Sequence, residues 1–261
     1  MHFAGVLRSM HNLQNGRTRA VTFCLGIKVK QGLIALADTE IVKGDERLNK
    51  SKVWMKGDHT GFWWIMTSGL RSIRDKALIY LEEQAVHQNY PHARLYEVAN
   101  AFGQQLRRVR QEDGASLAQS NLSFNLHAIL GGKLPNDSEP TMFYIYPEGN
   151  WIEASQDSPY FVVGRTPYAK PILDQMLSND LDLRRALAVA FLAFHATHAS
   201  VTDVGFPIDV ILSDAPSGQV MQSRFEAMEL QSAADWWQAH LVNSLSMFPT
   251  ECFSKLFVSQ Q

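Results

Sequence analysis

Apolar and polar residues alternate roughly from Thr22 to Lys30, TFCLGIKVK, which predicts a β-strand. Gln31-Gly32 makes a turn and LIALADTE returns as a second strand, so the pair reads as a hairpin. The charged stretch KGDERLNK, Lys43 to Lys50, is predicted as a loop. SKVWM and GFWWIMTSG then read as two more strands, separated by the turn signature GDHTG. Four strands therefore precede any helix. At Leu70 the period changes: LRSIRDKALIYLEEQAVHQ sets Ile73, Ala77, Leu78 and Leu81 on one helical face, and a second amphipathic helix is predicted from Pro91 to about Arg110. Strands resume at SFNLHAILGG, at TMFYIYPEGNWIEA with a turn at Pro147-Glu148-Gly149-Asn150, and at YFVVG. Two further helices are predicted, from Pro167 to about Leu177 and from Asp182 to about His198, before strands at FPIDVILS and QVMQSRF.

Strands, two helices, strands, two helices, strands is the order of an α+β protein. Each sheet needs a cover for one face, and elements in this order can stack as two sheets in the middle with a helix pair outside each, a four-layer αββα sandwich. The 261 residues fall within the range of one such layered unit. We expect a single domain over residues 22–261, preceded by an N-terminal extension, residues 1–21, without a structural pattern of its own.

Charge narrows the partners. The chain carries 24 basic and 26 acidic residues, a formal charge of -2, so nothing pulls it as a whole toward nucleic acid or anionic lipid. Apolar runs stay below the about 18 to 20 residues of a membrane helix, and the start lacks the apolar core of a secretory signal. Cys24 and Cys252 stand far apart without CxxC spacing, which fits a reducing cytoplasm better than a disulfide framework or a zinc site.

Several residue groups have ordinary readings. His195 and His198 in HATH are spaced to meet on a helix, but with no companion ligand motif we read them as packed or surface residues and assign no metal. Trp63-Trp64 and Trp236-Trp237 read as core plus subunit-interface packing, since adjacent strand residues face opposite sides. Arg107, Arg108 and Arg110 read as a solvated helix face. No GxGxxG, Walker A or HExxH motif is present, and no cofactor is expected. Taken singly, Thr22 is a strand threonine, Asp38 a turn residue and Lys52 a solvated strand end.

Taken together they carry a resemblance. Thr22 heads the first strand with Gly26 four residues on, Ala37-Asp38 ends the second strand, Lys52 precedes apolar Val53 and Trp54, and Thr67-Ser68-Gly69 joins a strand to the first helix. In order and approximate spacing these resemble the proteasome-type N-terminal nucleophile hydrolases. YPEGNWI, YFVVGRTPYAKPILD and VGFPIDV resemble the bacterial Anbu branch in particular, so the resemblance spans about Thr22 to Val210. It implies a threonine hydrolase of peptides or small amides that self-associates into a ring or helical homo-oligomer with its sites facing an inner space.

The chemistry of such a site is understandable from its groups. A threonine hydroxyl needs a base, and when the threonine is the first residue its own α-amine, titrating near ~8, can serve. A lysine ammonium nearby lowers that amine's pKa and a carboxylate holds the lysine in place, roles that suit Lys52 and Asp38. The Gly69 N–H resembles the family's oxyanion donor. Ser200 and Asp203, in ASVTDVG, are candidates for the pair that assists the amino terminus, although their register is offset from the family pattern. Arg165 stands where the family has a further serine. That departure, and the twenty-one residues before Thr22, favour a rival reading as a catalytically silent assembly scaffold or binding protein. The preceding residues have three explanations: a propeptide, although Val21 replaces the usual glycine; a retained extension; or translation beginning at Val21, read as methionine and removed, which we favour.

Overall fold

A computed structural model describes residues 22–43, 46–58, 61–88 and 93–257. The expected extension, residues 1–21, lies outside them. Five antiparallel strands form one sheet in the order β10-β1-β2-β11-β12: β10 (Tyr160–Gly164), β1 (Phe23–Val29), β2 (Gly32–Asp38), β11 (Ile208–Asp214) and β12 (Val220–Phe225). A second antiparallel sheet runs β5-β6-β7-β8-β9: β5 (Val53–Asp58), β6 (Gly61–Gly69), β7 (Leu126–Lys133), β8 (Thr141–Ile145) and β9 (Trp151–Glu153). Helices α1 (Arg71–Gln88) and α2 (Leu95–Gln119) cover the second sheet, and α3 (Lys170–Met176) and α4 (Leu183–Ser200) cover the first. This is the four-layer αββα sandwich.

Alternation along each strand decides which layer a side chain joins. In β1, Phe23, Leu25 and Ile27 point outward to Ala190 and Phe194 of α4, while Cys24 points inward between the sheets. In β6, Trp63 joins the core under α1 and α2, whereas Trp64 is fully buried between the sheets. Strands buried on both faces read as nearly continuous apolar runs, which is why FCLGIKV alternates only weakly. The sheets meet closely at Gly26, where a Cβ would lie 2.5 Å from Met142 Sδ and 3.0 Å from Ile129.

Four expectations need correction. The charged stretch Lys43 to Lys50 is not simply a loop, because β3 (Glu40–Lys43) and β4 (Glu46–Asn49) pair as a separate two-stranded ribbon. A ribbon outside the sandwich can hold by backbone hydrogen bonds without an apolar alternation. Helix α2 runs on to Gln119 through the polar QEDGASLAQ, where Lys76 of α1 reaches Glu112 at 2.7 Å and Asp113 at 2.8 Å. A fifth helix, α5 (Ala227–Ser246), and a 3₁₀ turn at Thr250–Leu256 follow the last strand and were not expected. Trp236 and Trp237 therefore lie on a helix: Trp236 is exposed and Trp237 packs on the outer core of α4. Finally, Arg107 and Arg110 do not form a merely solvated face, since their guanidinium groups donate to Gly149 O at 3.0 Å and Pro147 O at 3.1 Å and fasten the YPEGN turn to α2.

Among the described residues no helix is long and apolar enough to cross a membrane. Replacing Trp64 by alanine would open a void between the sheets and should lower unfolding free energy by about 3 to 5 kcal/mol. Denaturant titration of the two proteins measures it, and a shift no larger than that of a surface substitution would contradict this layer assignment.

Candidate active site

The hairpin builds the site from its open end. The β1–β2 register pairs Cys24 with Ala37, so Phe23 faces Asp38, and the Phe23 N–H donates to Asp38 Oδ1 at 2.8 Å. Phe23 is itself anchored by its ring in the outer core, edge-on to Phe194. Lys52, one residue before β5, reaches from the edge of the opposite sheet and donates from Nζ to the same Asp38 Oδ1 at 2.6 Å. One carboxylate oxygen thus ties the head of β1 to the head of β5.

Both charges are out of solvent, with the Asp38 side chain 0% exposed and that of Lys52 7%. Burial pushes the Asp38 carboxyl up to about 6, against the opposing pull of Lys52 and the Phe23 N–H, with Glu40 adding to the rise. Asp38 Oδ2 is buried without a hydrogen-bond partner among the described residues. The neighbouring Cys24 thiol is pushed far up by burial, although Lys52 and Arg74 draw it down. The β5–β6 register pairs Val53 with Met66, so the end of β6 that carries Gly69 runs beside the head of β5 and lies at the same end of the sandwich as Lys52 and Asp38.

Thr22 is 5% exposed, and its carbonyl accepts from the Arg165 N–H at 2.9 Å. The approach depends on Gly164: its φ is +94°, and a Cβ there would lie 1.7 Å from Thr22 O. Gly69, at the last position of β6, has φ +138°, and a Cβ would fall 1.9 Å from Asn125 O. The segment VGFPIDV is held to the hairpin by Thr39, whose N–H and Oγ1 both donate to Pro207 O, at 3.0 Å and 2.7 Å.

The amino-acid sequence matches the family described as proteasome subunit over residues 19–212. The chain belongs to the proteasome family. Among solved structures it is similar to Anbu, the ancestral β-subunit, from Yersinia bercovieri, with 26% identity over 87% of this chain and 98% of that one and a TM-score of 0.79. Anbu from Hyphomicrobium sp. strain MC1 gives 26% identity, the same coverages and a TM-score of 0.76. Anbu from Pseudomonas aeruginosa, in a helical assembly, is alike in fold, with 24% identity over 87% and 97% of the two chains and a TM-score of 0.80. No curated protein sequence matches.

Within this proteasome-family fold, Thr22, Asp38 and Lys52 come together at one end of the hairpin, and Gly69 lies on the same side. Asp203 reaches the group through Arg165, whose Nη2 donates to Asp203 Oδ2 at 2.8 Å, next to the backbone bond that Arg165 makes to Thr22. Arg165 Nε and Asp203 Oδ1 are buried without hydrogen-bond partners among the described residues. Ser200 stands apart from these contacts: it is exposed at the end of α4, with Oγ donating to Ala196 O on its own helix at 2.7 Å. His198 donates to the Val204 carbonyl at 2.7 Å and stacks on Phe194, and His195 stacks on Phe191. Among the described residues no three or more His, Cys, Asp or Glu side chains are grouped to hold a metal ion.

Sequence reasoning passes over two nearby features. Arg165 is visible there only as a departure from the family's serine, whereas its ion pair with Asp203 depends on two loops distant in sequence. Glu40 is 7% exposed beside Gly205, where a Cβ would meet Glu40 Oε2 at 2.3 Å. Its signal is the acidic residue two places beyond Asp38, which reads as an ordinary strand end.

The Asp38 carboxyl sits above the ~3.9 of an unfolded aspartate. Between about pH 4 and about pH 6 the unfolded chain has lost the proton that the folded chain keeps, so this residue makes stability fall as pH rises through that window. Lys52→Met removes the cation that opposes the shift and should carry the fall to higher pH. Unfolding titrations across this range, with Asp38→Asn as the blank, test it: a pH slope identical in wild type and blank would exclude Asp38 as the titrating group.

Proposed function

We propose that this chain is a threonine-type hydrolase that cleaves the amide bonds of peptides or small amides through Thr22, acting as its first residue. The observation that supports it is the sharing of Asp38 Oδ1 between the Phe23 N–H and Lys52 Nζ, one residue from Thr22, in a proteasome-family chain. Thr22 Oγ attacks the substrate carbonyl while the α-amine takes the hydroxyl proton and then passes it to the departing amine, leaving an ester on Thr22. Water, activated by the same amine, attacks the ester, and its proton returns to Oγ as the acid leaves. The Lys52 ammonium keeps the α-amine unprotonated by like-charge repulsion, and Asp38 keeps the lysine charged and aimed. The Gly69 N–H stabilises the oxyanion. Asp203, ion-paired to Arg165, is assigned to assist the amino terminus, while Ser200, turned back to its helix, has no role in this scheme.

We assign the protein to the cytoplasm as a homo-oligomer. The Pseudomonas aeruginosa Anbu structure, a helical assembly, supports self-association. As pH falls through about 6, protonation of Asp38 should release Lys52 and turnover should drop.

Thr22→Ala, in a chain that begins at residue 22, should reduce turnover by at least about 10³-fold without altering assembly. A threonine-directed electrophile should label the chain beginning at Thr22 and spare one that retains residues 1–21, as intact mass would reveal. Unchanged turnover in the variant would sink the mechanism, and absence of labelling in both forms is the outcome a silent scaffold requires.

A further inference from the structure

Arg165 touches Thr22 and Asp203 at once. Its N–H donates to the Thr22 carbonyl at 2.9 Å, one residue beyond the paired Phe23 and Gly164 of β1 and β10. Its Nη2 donates to Asp203 Oδ2 at 2.8 Å. The Asp203 carboxylate therefore stands within the reach of one arginine side chain from Thr22. The loop that carries it is fixed to the same end of the hairpin, since Thr39 Oγ1 donates to Pro207 O and Ile208 pairs with Asp38. The side chains of Arg165 and Asp203 are 37 and 21% exposed, and an ion pair so placed adds little to stability. What it brings to Thr22 is charge and a hydrogen-bond acceptor.

The other ionisable groups around this place are already engaged. Lys52 is bonded to Asp38, and Glu40 acts on Asp38 from β3. Arg74, whose charge reaches Cys24 from the first turn of α1, is paired to Asp75 at 2.6 Å. The Cys24 thiol is kept protonated by burial, and His198 is turned to the Val204 carbonyl. Lys52, Arg74 and Arg165 thus each have a carboxylate. Asp203 Oδ1, by contrast, is a buried acceptor without a donor among the described residues. An amine next to an unopposed carboxylate is held as an ammonium, because the negative charge favours its charged form. Next to a carboxylate already paired with arginine, the amine can donate a hydrogen bond and still give up its proton.

We propose that Arg165 is a positioning residue for the amino terminus: it neutralises Asp203 while leaving Oδ1 to accept an N–H of the Thr22 amine. The amine is then oriented by a hydrogen bond without being locked in its protonated form. A guanidinium suits this task, since it stays charged at every working pH and does not release Asp203. The arginine that stands where the family has a serine is, on this assignment, part of what keeps the base available and no mark of a silent subunit. The inference rests on the hydrolase reading above and adds to it the residue that governs the amine's proton.

The test uses the chain that begins at residue 22, which carries every described element of the fold. The α-amine is titrated through the pH dependence of its acetylation, read by mass spectrometry of the N-terminal peptide, and kcat/KM is followed over the same range. Arg165→Met should raise the midpoint of the amine by about one pH unit or more, whereas Arg165→Lys should keep the wild-type midpoint. Asp203→Asn should lower it, and Arg165→Met/Asp203→Asn should bring it back toward wild type, a recovery that a merely structural role does not give. The acid limb of kcat/KM should move with the midpoint. A midpoint unmoved by Arg165→Met, or one that the second substitution does not restore, overturns the assignment. If Arg165→Met loses its circular dichroism, Asp203→Asn decides: a lowered midpoint supports the role of Arg165 and an unmoved one refutes it. Midpoints that move as stated while no form hydrolyses amides leave the charge arrangement standing and sink the hydrolase reading. A wild type that turns over, with one midpoint shared by every variant, keeps the hydrolase reading and removes Arg165 from it.

Discussion

Among the described residues, one buried ion pair joins the two sheets at the open end of the hairpin. Lys52 stands at the edge of one and Asp38 at the end of a central strand of the other, 2.6 Å apart and almost fully enclosed. Taking two charges from water is expensive, and apolar residues of similar volume would commonly hold such a place as well or better. Stability alone is therefore a poor reason for the pair. Its geometry has a second effect that an apolar substitute lacks, because the same carboxylate oxygen receives the Phe23 N–H and so sets the first peptide of β1 against a buried cation.

The rest of the architecture serves that placement. Gly26 lets the sheets approach, Gly164 lets β10 run beside Thr22, and Thr39 grips Pro207 so that the segment leading into β11 closes the far side of the hairpin. The outer layers fix the strands from behind, through Phe23 on Phe194 on one side and Trp63 in the core of α1 and α2 on the other. A displacement in any of these layers would reach the ion pair, since β1 and β2 have no solvent-exposed face in which to absorb it.

Much of this is legible along the chain because it is local. The hairpin, the change of period at Leu70 and the turn at Pro147 each depend on residues within a few places of one another, and the spacing of Thr22, Asp38 and Lys52 follows from strand length. What is not legible depends on partners far apart. The ribbon of β3 and β4 has no apolar alternation to betray it, and α5 combines polar, small and aromatic residues in a pattern that makes sense only against α4. The pairing of Arg165 with Asp203 spans 38 positions and two loops. Arg107 and Arg110 look like a charged helix face until the backbone carbonyls of the YPEGN turn are brought to them.

The contacts that seat Thr22 are made by its carbonyl, by the amide of the residue after it and by the strand beyond. Among the described residues these bonds hold Thr22 from its carboxyl side. On the function proposed above, uncovering the Thr22 amine leaves these bonds in place, so activation becomes a matter of where the polypeptide starts.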